Sequence, residues 1–320
     1  MRSVVLLDGG LGQEIYRRAR SVSSPLWSVA VMQEQPEVVT AVHADFIRAG
    51  AKTLSLNTYA ATPTRLREQG LLDQLATIHQ QAFDVLGQAI RNTGAEVDIA
   101  GCLPPLTGSY RRQPERSFDD LRDEYSTLVR LQAAADVFLI ETITNSLEAR
   151  AACAAVRDLG KPYGVAFRLE ADGKLKSGET LAEAVAAVSP YGPTAIMLNC
   201  CDPELISAAM PELVGLYPVV GGYANAFKSV EAVATGGLVD ALEARNDVSP
   251  AVYVEHLRSW LADGASVVGG CCEITPGHIQ HITDTFAGEF AFIRFSQLGQ
   301  TDGKGGGELR LPPLPDGSNL

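Results

Sequence analysis

Three of the six cysteines in this sequence occupy positions that favour metal chemistry. Cys271 and Cys272 are adjacent and lie between a short apolar run and a helix start, and Cys200 stands in the equivalent place after another run. Backbone N–H groups at a helix start lower the pKa of a nearby thiol. Three thiolates can hold one soft ion, and zinc with three protein ligands and an open fourth position is the catalytic arrangement. We therefore predict a catalytic Zn²⁺ on these three residues.

The other cysteines have weaker signals. Cys201 follows Cys200 directly, and consecutive residues leaving a strand point to opposite faces, so we expect only one of the two to face the site. Cys102 also ends an apolar run, but it has no adjacent thiol, and packing and site roles both remain open. Cys153 lies in the helical run AACAAV and is predicted to pack as a small apolar side chain.

Composition and missing motifs exclude several classes of protein. The sequence contains 26 Lys plus Arg and 38 Asp plus Glu, and the net charge of −12 argues against binding to nucleic acid or an anionic membrane. A nucleophile elbow, a phosphate loop and a His-Glu-x-x-His motif are absent, which removes most hydrolases, kinases and ATPases. All five histidines fall in helical patterns and are predicted to pack or face solvent: His43, His79, His256, His278 and His281.

The elements that must position the thiols form a repeating pattern. Short apolar runs alternate with amphipathic stretches along the 320 residues, which is typical of βα units and a parallel sheet. The eight predicted strands are Val4 to Leu7, Thr53 to Leu56, Val97 to Ala100, Val137 to Ile140, Gly164 to Phe167, Ala195 to Leu198, Val219 to Gly222 and Ser266 to Gly269.

Eight such units favour a closed (β/α)8 TIM barrel, an α/β architecture that takes roughly 250 to 300 residues. The alternative is an open doubly wound sheet, which would favour a Gly-x-Gly-x-x-Gly turn after the first strand. Here that turn reads DGGLGQ from Asp8, which is offset and incomplete. We predict one domain over residues 1–300 and a mobile Gly/Pro-rich tail over 301–320.

Two features of the sequence predict a cytoplasmic protein. No apolar run approaches the roughly 18 residues of a membrane helix. The opening MRSVVLLDGG has too short an apolar stretch for a signal peptide. We therefore expect a cytoplasmic protein, with its oligomeric state, including a homo-oligomer, left open.

A barrel brings the carboxyl ends of its strands to one mouth, where reactive groups of such proteins cluster. The sequence places polar and thiol residues at most of these ends. They are Asp8, Asn57 and Tyr59, Cys102, Glu141, Asn199 and Cys200, Tyr223 and Asn225, and the pair Cys271 and Cys272.

Five stretches resemble the homocysteine S-methyltransferase family, in order from about Val4 to Ile282. They are LLDGGLGQEI, LWSVAVMQEQPEVVTAVHADFIRAGAKTLSLNTYAAT, FLIETITNSLEA, MLNCCDPE and VVGGCCEITPGHI. The GGCC element with an upstream Asn-Cys is the most specific of them. The family includes betaine-dependent and S-methylmethionine-dependent enzymes and one module of cobalamin-dependent methionine synthase.

The resemblance implies a zinc barrel and gives roles to the residues at the mouth. The zinc thiolates correspond to Cys200, Cys271 and Cys272, and the acids for the amino group of homocysteine correspond to Asp8 and Glu141. Turn formation for Asp8 and helix entry for Glu141 are the alternatives. Tyr59 corresponds to the aromatic residue near the donor methyl, although packing remains an alternative for it. We expect Gly9, Asn199 and Asn225 to complete the substrate site.

The resemblance further implies a methyltransferase that forms methionine from homocysteine. The length of this sequence is near that of the compact family members, which favours a sulfonium donor, S-methylmethionine or S-adenosylmethionine, over betaine. The alternatives are betaine-type donor use, a thiol or selenol alkyltransferase with another acceptor, and a zinc-binding barrel without catalysis. Three residues depart from the family pattern and are expected to line the mouth, where they bear on the choice of substrates: Glu273, Phe167 and Cys102.

Overall fold

A single parallel sheet curls around the core of the protein in a computed structural model that describes residues 1–20, 24–108, 110, 116–230, 233 and 242–298. Each of the eight predicted apolar runs contains a strand, and a ninth strand follows them. The strands are β1 (Arg2–Leu6), β2 (Thr53–Ser55), β3 (Asp98–Leu103), β4 (Val137–Ile143), β5 (Tyr163–Phe167), β6 (Ala195–Asn199), β7 (Val220–Tyr223), β8 (Val267–Val268) and β9 (Phe290–Ile293).

The sheet closes on itself. Its order is β2-β3-β4-β5-β6-β7-β8-β1-β9, and every paired register is parallel. Leu7, just after β1, bridges Thr53 of β2, and the Lys52 amide donates to the Leu6 carbonyl at 2.8 Å. The predicted (β/α)8 barrel is therefore confirmed, and the alternative of an open doubly wound sheet is wrong.

Helices surround the barrel, and three of them lie between β1 and β2. A polar N-cap residue followed by proline begins three helices, at Pro63, Pro203 and Pro276, because a residue with preset φ suits the first helical position. The α-helices are α1 (Leu11–Arg18), α2 (Ser28–Glu34), α3 (Pro36–Arg48), α4 (Pro63–Glu68), α5 (Leu75–Thr93), α6 (Phe118–Leu131), α7 (Ser146–Arg157), α8 (Leu181–Val188), α9 (Pro203–Leu216), α10 (Pro250–Asp263) and α11 (Pro276–Thr285).

The ninth strand was not predicted, and it closes the amino-terminal end of the barrel. β9 pairs with the first four residues of β1, from Arg2 to Val5. Phe295, in the turn that follows, is fully buried against side chains of the barrel interior such as Val137 and Met197. Its amide donates to Thr53 Oγ1 at 2.9 Å. The interior is thus a packed core that is plugged at one end and open at the other.

Two further predictions concern membrane-spanning helices and the carboxyl-terminal tail. No helix in the described ranges combines the length and the apolar character needed to cross a membrane. The predicted tail, 301–320, lies outside the described residues, so its character and the domain boundary at 300 stay predictions.

Candidate metal centre

The three cysteines predicted to bind metal lie together at the carboxyl end of the barrel. The Sγ atoms of Cys200, after β6, and of Cys271 and Cys272, after β8, all lie within 4.8 Å of one another. Tetrahedral ligands with Zn–S bonds of about 2.3 Å are about 3.8 Å apart, so small shifts would place all three sulfurs on one ion. The donor set, three soft sulfurs without a carboxylate or imidazole, fits zinc.

Backbone hydrogen bonds with residues just after β7 fix the loop of Cys271 and Cys272. The Cys271 amide donates to the Ala224 carbonyl at 2.8 Å, and the Ala226 amide donates to the Cys272 carbonyl at 3.0 Å. Cys200 adopts a left-handed backbone with φ of 53°, which is uncommon for a residue with a Cβ. This turn directs its thiol toward the other two.

Glycines let the loop after β1 pack directly on the cysteine loop. A Cβ on Gly9 would lie 2.3 Å from the Ile274 carbonyl oxygen, and one on Gly10 would lie 2.7 Å from the Cys271 carbonyl oxygen. The Gly10 amide also donates to the Ile274 carbonyl at 2.7 Å. No larger residue fits between these two loops without moving the thiols.

The three thiols change one another's pKa values. Hydrogen bonds from Cys271 and Cys272 hold the pKa of the Cys200 thiol well below its ordinary value, and the same contacts with Cys200 raise the pKa of Cys271 well above its ordinary value. Three thiolates this close repel one another, so the cluster ionises fully only when a cation binds.

Besides the other two thiols, two side chains lie close to the Cys200 sulfur, and a third packs on one of them. The Tyr110 hydroxyl lies 3.0 Å from Sγ, within hydrogen-bond distance, and Asn225 Nδ2 lies 3.8 Å from it. The Arg168 guanidinium stands over the Tyr110 ring at 5.0 Å and is paired with Glu170. These groups orient Cys200 and stabilise its negative charge.

The buried carboxyl group of Asp8 and the half-buried one of Glu141 form the acidic part of the adjoining cavity. Burial raises the pKa of Asp8 to about 7, opposed by the Ser55 amide, which donates to Asp8 Oδ2 at 3.0 Å. Burial, followed by the charge of Asp8, raises the pKa of Glu141 to about 8. Neither carboxyl group forms an ion pair with a cationic side chain in the described part of the chain, so the pair is suited to an ammonium group.

A break in β4 directs Glu141 toward this cavity. The register between β4 and β5 shifts between Ile140 and Ile143, and Thr142 is left-handed with φ of 61°. The Asn199 side chain accepts a hydrogen bond from the Thr142 amide and donates one to the Thr142 hydroxyl, both at 2.9 Å. Asn199 thus supports the bulge that presents Glu141.

The cavity has a volume of about 380 Å³ and joins the thiols to the acidic pair. Two residues predicted to contact substrate, Asn199 and Asn225, are absent from its described wall. The wall includes the predicted residues Asp8, Gly9, Tyr59 and Glu141 with the three cysteines, together with Trp27, Asn57, Arg65, Glu68, Cys102, Tyr110, Tyr223 and Phe227.

Only one of the three residues that depart from the family pattern, Cys102, lines the cavity. Cys102 lines the cavity and lies 3.7 Å from Glu141 Oε2. Phe167 is fully buried in the core between barrel and helices, and Glu273 points to α1, where Gln13 and Arg17 donate to its carboxylate at 2.7 and 2.6 Å. The prediction that all three line the mouth is therefore wrong for Phe167 and Glu273.

The remaining thiols and the histidines behave as predicted. Cys201 is buried in the core beside the site, and burial raises the pKa of its thiol to about 12. Cys153 is buried in α7. None of the five histidines lines the described wall of the cavity.

Comparisons with known proteins match most of this chain. A family model described as homocysteine S-methyltransferase matches residues 5–286. The homocysteine S-methyltransferase of Escherichia coli (strain K12) is 28% identical over 298 residues, which cover 87% of this chain and 94% of that protein. Homocysteine S-methyltransferase 3 of Zea mays is 24% identical, over 88% of this chain and 89% of its own.

A solved structure shows the same architecture. The homocysteine methyltransferase MmuM from Escherichia coli, in its metallated form, aligns with a TM-score of 0.74 and 25% identity, over 88% of this chain and 96% of that one. Its oxidized form gives the same TM-score with 26% identity. The family match spans both cysteine loops.

Proposed function

This chain belongs to the homocysteine S-methyltransferase family, and from that premise we propose that it moves a methyl group from a sulfonium donor to the thiol of homocysteine on a zinc ion held by Cys200, Cys271 and Cys272. It is a methyltransferase of small molecules. The observation that carries the proposal is the convergence of these three thiols at one end of a cavity whose wall also holds two carboxyl groups without a cationic partner in the described residues.

The role of the cysteines follows from the chemistry of a thiol acceptor. A free thiol, with a pKa of about 8.5, is mostly protonated at neutral pH, whereas the thiolate is the nucleophile. Bound zinc would supply a positive centre that favours loss of the proton from the substrate thiol. Tyr110 and Asn225, at 3.0 and 3.8 Å from Cys200 Sγ, orient this ligand and support its charge.

The acceptor is held by the acidic pair in this proposal. The carboxyl groups of Asp8 and Glu141 bind the ammonium group of homocysteine and give up their protons as it enters. The backbone of Gly9 lies on the cavity wall beside Asp8 and contacts the substrate. Asn199 acts by holding the bulge behind Glu141.

The donor lies against aromatic side chains in this proposal. Tyr59, Trp27 and Phe227 are on the same cavity wall as the cysteines, and aromatic faces stabilise a sulfonium cation. A volume of about 380 Å³ is at the small end of ligand cavities, which favours S-methylmethionine over the larger S-adenosylmethionine. The methyl group then passes from the donor sulfur to the thiolate, and the donor leaves as a neutral thioether.

A centre of three free thiols favours a reducing compartment, so we also propose that the reaction takes place in the cytoplasm.

A direct assay tests the proposed reaction. Zinc-loaded protein is incubated with homocysteine and, in separate reactions, S-methylmethionine, S-adenosylmethionine or betaine carrying an isotopically labelled methyl group. We expect labelled methionine, detected by mass spectrometry, with S-methylmethionine as the best donor. Absence of methionine with every donor would contradict the proposal.

A pair of cysteine variants tests the metal ligands. Cys271→Ala removes one of the three clustered thiols, so we expect loss of bound zinc after dialysis and a fall in turnover of more than about 100-fold. Cys201→Ala, which removes a buried thiol beside the cluster, is the matched control and should keep both. Zinc content is measured by mass spectrometry of the metal, and stoichiometric zinc in Cys271→Ala would show that the ligands are others.

A further inference from the structure

The cavity wall contains an arginine that the proposed reaction has not used. Arg65 lies in the first turn of α4, where its amide donates to the capping oxygen of Thr62 at 3.2 Å. Its Nη1 and Nη2 donate to the Tyr59 and Pro105 carbonyl oxygens, both at 3.2 Å. The guanidinium carbon is 5.4 Å from the centroid of the Tyr59 ring. Two backbone carbonyls and a ring face thus hold the side chain at the cavity.

No carboxylate neutralises this guanidinium at ion-pair distance within the described ranges. Its Nε is buried and has no hydrogen-bond partner there. The buried carboxylate of Glu148 is near enough to act on Arg65 electrostatically, but it accepts hydrogen bonds from the Leu106 amide at 2.9 Å and the Tyr125 hydroxyl at 3.1 Å. Burial lowers the pKa of Arg65, which shows that its surroundings compensate the charge only in part.

The free donors of Arg65 match a carboxylate. A guanidinium has five N–H groups, and two of them serve the carbonyl oxygens of Tyr59 and Pro105. The Nε proton and one proton on each Nη remain, and an edge made of Nε and one Nη forms paired hydrogen bonds with the two oxygens of a carboxylate. Glu68, one turn further along α4, lines the same cavity, and its negative charge disfavours a doubly charged phosphate.

We propose that Arg65 binds the α-carboxylate of an amino-acid substrate. The identity of the substrates rests on the proposed function, in which both homocysteine and S-methylmethionine carry this group. Cys102 is 3.7 Å from Glu141 and also lies within electrostatic range of Arg65, so cationic and acidic parts of the cavity are neighbours. The carboxylate at Arg65 comes from one of two sources. It belongs either to the amino acid whose ammonium group lies at Asp8 and Glu141 or to a second amino acid bound beside it.

Arginine variants on one helix provide the first arm of the test. Arg65→Gln removes the charge, and Arg67→Gln makes the same change at an exposed position of α4. In zinc-loaded protein, we expect Arg65→Gln to weaken homocysteine binding, measured by calorimetry, or to raise the KM for S-methylmethionine by about 10- to 100-fold, as for a lost hydrogen bond to a charged group. Arg67→Gln should match the wild type. The substrate that is affected identifies the source of the carboxylate.

Decarboxylated analogues of the two substrates provide the second arm. If Arg65 binds a carboxylate, the analogue of the affected substrate binds wild type and Arg65→Gln equally, because the contact is already missing. If Arg65 only braces the Tyr59 and Pro105 loops, the substitution weakens the analogue and its parent by the same factor, which would overturn the proposal. Unchanged binding of both parent substrates to Arg65→Gln would overturn it as well.

The two proposals fail in different ways. Calorimetry of homocysteine requires no turnover, so dependence of binding on Arg65 in a protein that forms no methionine would reject only the proposed reaction. If Arg65→Gln does not fold, the wild type with the two analogues is sufficient. Undiminished affinity for both analogues would then overturn the assignment of Arg65.

Discussion

At the scale of single residues, the acidic pair is the part of the site most sensitive to protons. Asp8 and Glu141 have pKa values of about 7 and 8, chiefly because both are buried, so much of the pair is protonated in the free protein at neutral pH. An ammonium group stabilises the ionised forms. Binding of an amino acid there should therefore release protons.

Proton release on homocysteine binding is the corresponding prediction. At about pH 7, we expect the wild type to release about one proton more than Glu141→Gln, because Glu141 must ionise on binding and glutamine cannot. The thiol proton is lost in both proteins and cancels in the comparison. Calorimetry in buffers with different ionisation enthalpies counts the protons. Equal counts in the two proteins would show that Glu141 does not ionise when homocysteine binds.

At the scale of elements, turns after the strands place the reactive groups. Of the four described non-glycine residues with a positive φ, three line the cavity, Trp27, Thr142 and Cys200, and the fourth, Glu273, directly follows Cys272. Such conformations cost about 1–3 kcal/mol each, and contacts such as those of Asn199 with Thr142 and of Arg17 with Glu273 hold them. The loop after β1 packs on the cysteine loop through Gly9, so these turns are interdependent.

A glycine comparison tests this packing. Gly9→Ala places a Cβ 2.3 Å from a backbone oxygen that cannot move freely, so we expect a loss of about 1–3 kcal/mol in the free energy of unfolding and weaker metal binding. Gly87→Ala, inside α5, meets only the flexible end of Arg91 at 3.4 Å and should stabilise the protein by about 0.5–1 kcal/mol. Urea unfolding and chelator competition measure the two effects. Wild-type metal affinity in Gly9→Ala would contradict the predicted coupling between the loops.

Sequence patterns predict the strands and the polar residues at their ends because burial imposes a regular spacing on the chain. Which of these residues faces the cavity depends on local breaks that no spacing reveals, such as the bulge that turns Glu141 inward and leaves Asn199 behind it. Arg65 and Tyr110 were missed for a related reason. Each lies on a helix or loop beyond a strand, and only tertiary packing brings it to the site.

At the scale of the whole molecule, the two ends of the barrel have different roles. The carboxyl end of the strands holds the cavity, and the amino end is closed by β9 and the buried ring of Phe295. β9 was not predicted because eight runs already complete a barrel. The only sign of it was the short apolar run FAFI, which is ambiguous in isolation.

The plug carries a prediction about stability. Phe295→Ala removes a fully buried ring from the barrel interior and should lower the free energy of unfolding by about 3–5 kcal/mol. Phe292→Ala, in the half-buried strand β9, is the control and should cost clearly less. Chemical denaturation of both variants measures the difference, and equal losses would show that Phe295 is no plug.

The sheet order also determines when each strand can find its partners during synthesis. Among the nine strands, β1 is synthesised first and its partners β8 and β9 are synthesised last, whereas β2 to β7 can pair with neighbours as they emerge. Val5 pairs with Val267 of β8, so the edge of β1 that faces β8 stays unpaired and open to wrong partners until β8 is made. Two of the three clustered thiols, Cys271 and Cys272, come directly after β8. A nascent chain therefore gains its complete metal centre only when it can also close the barrel.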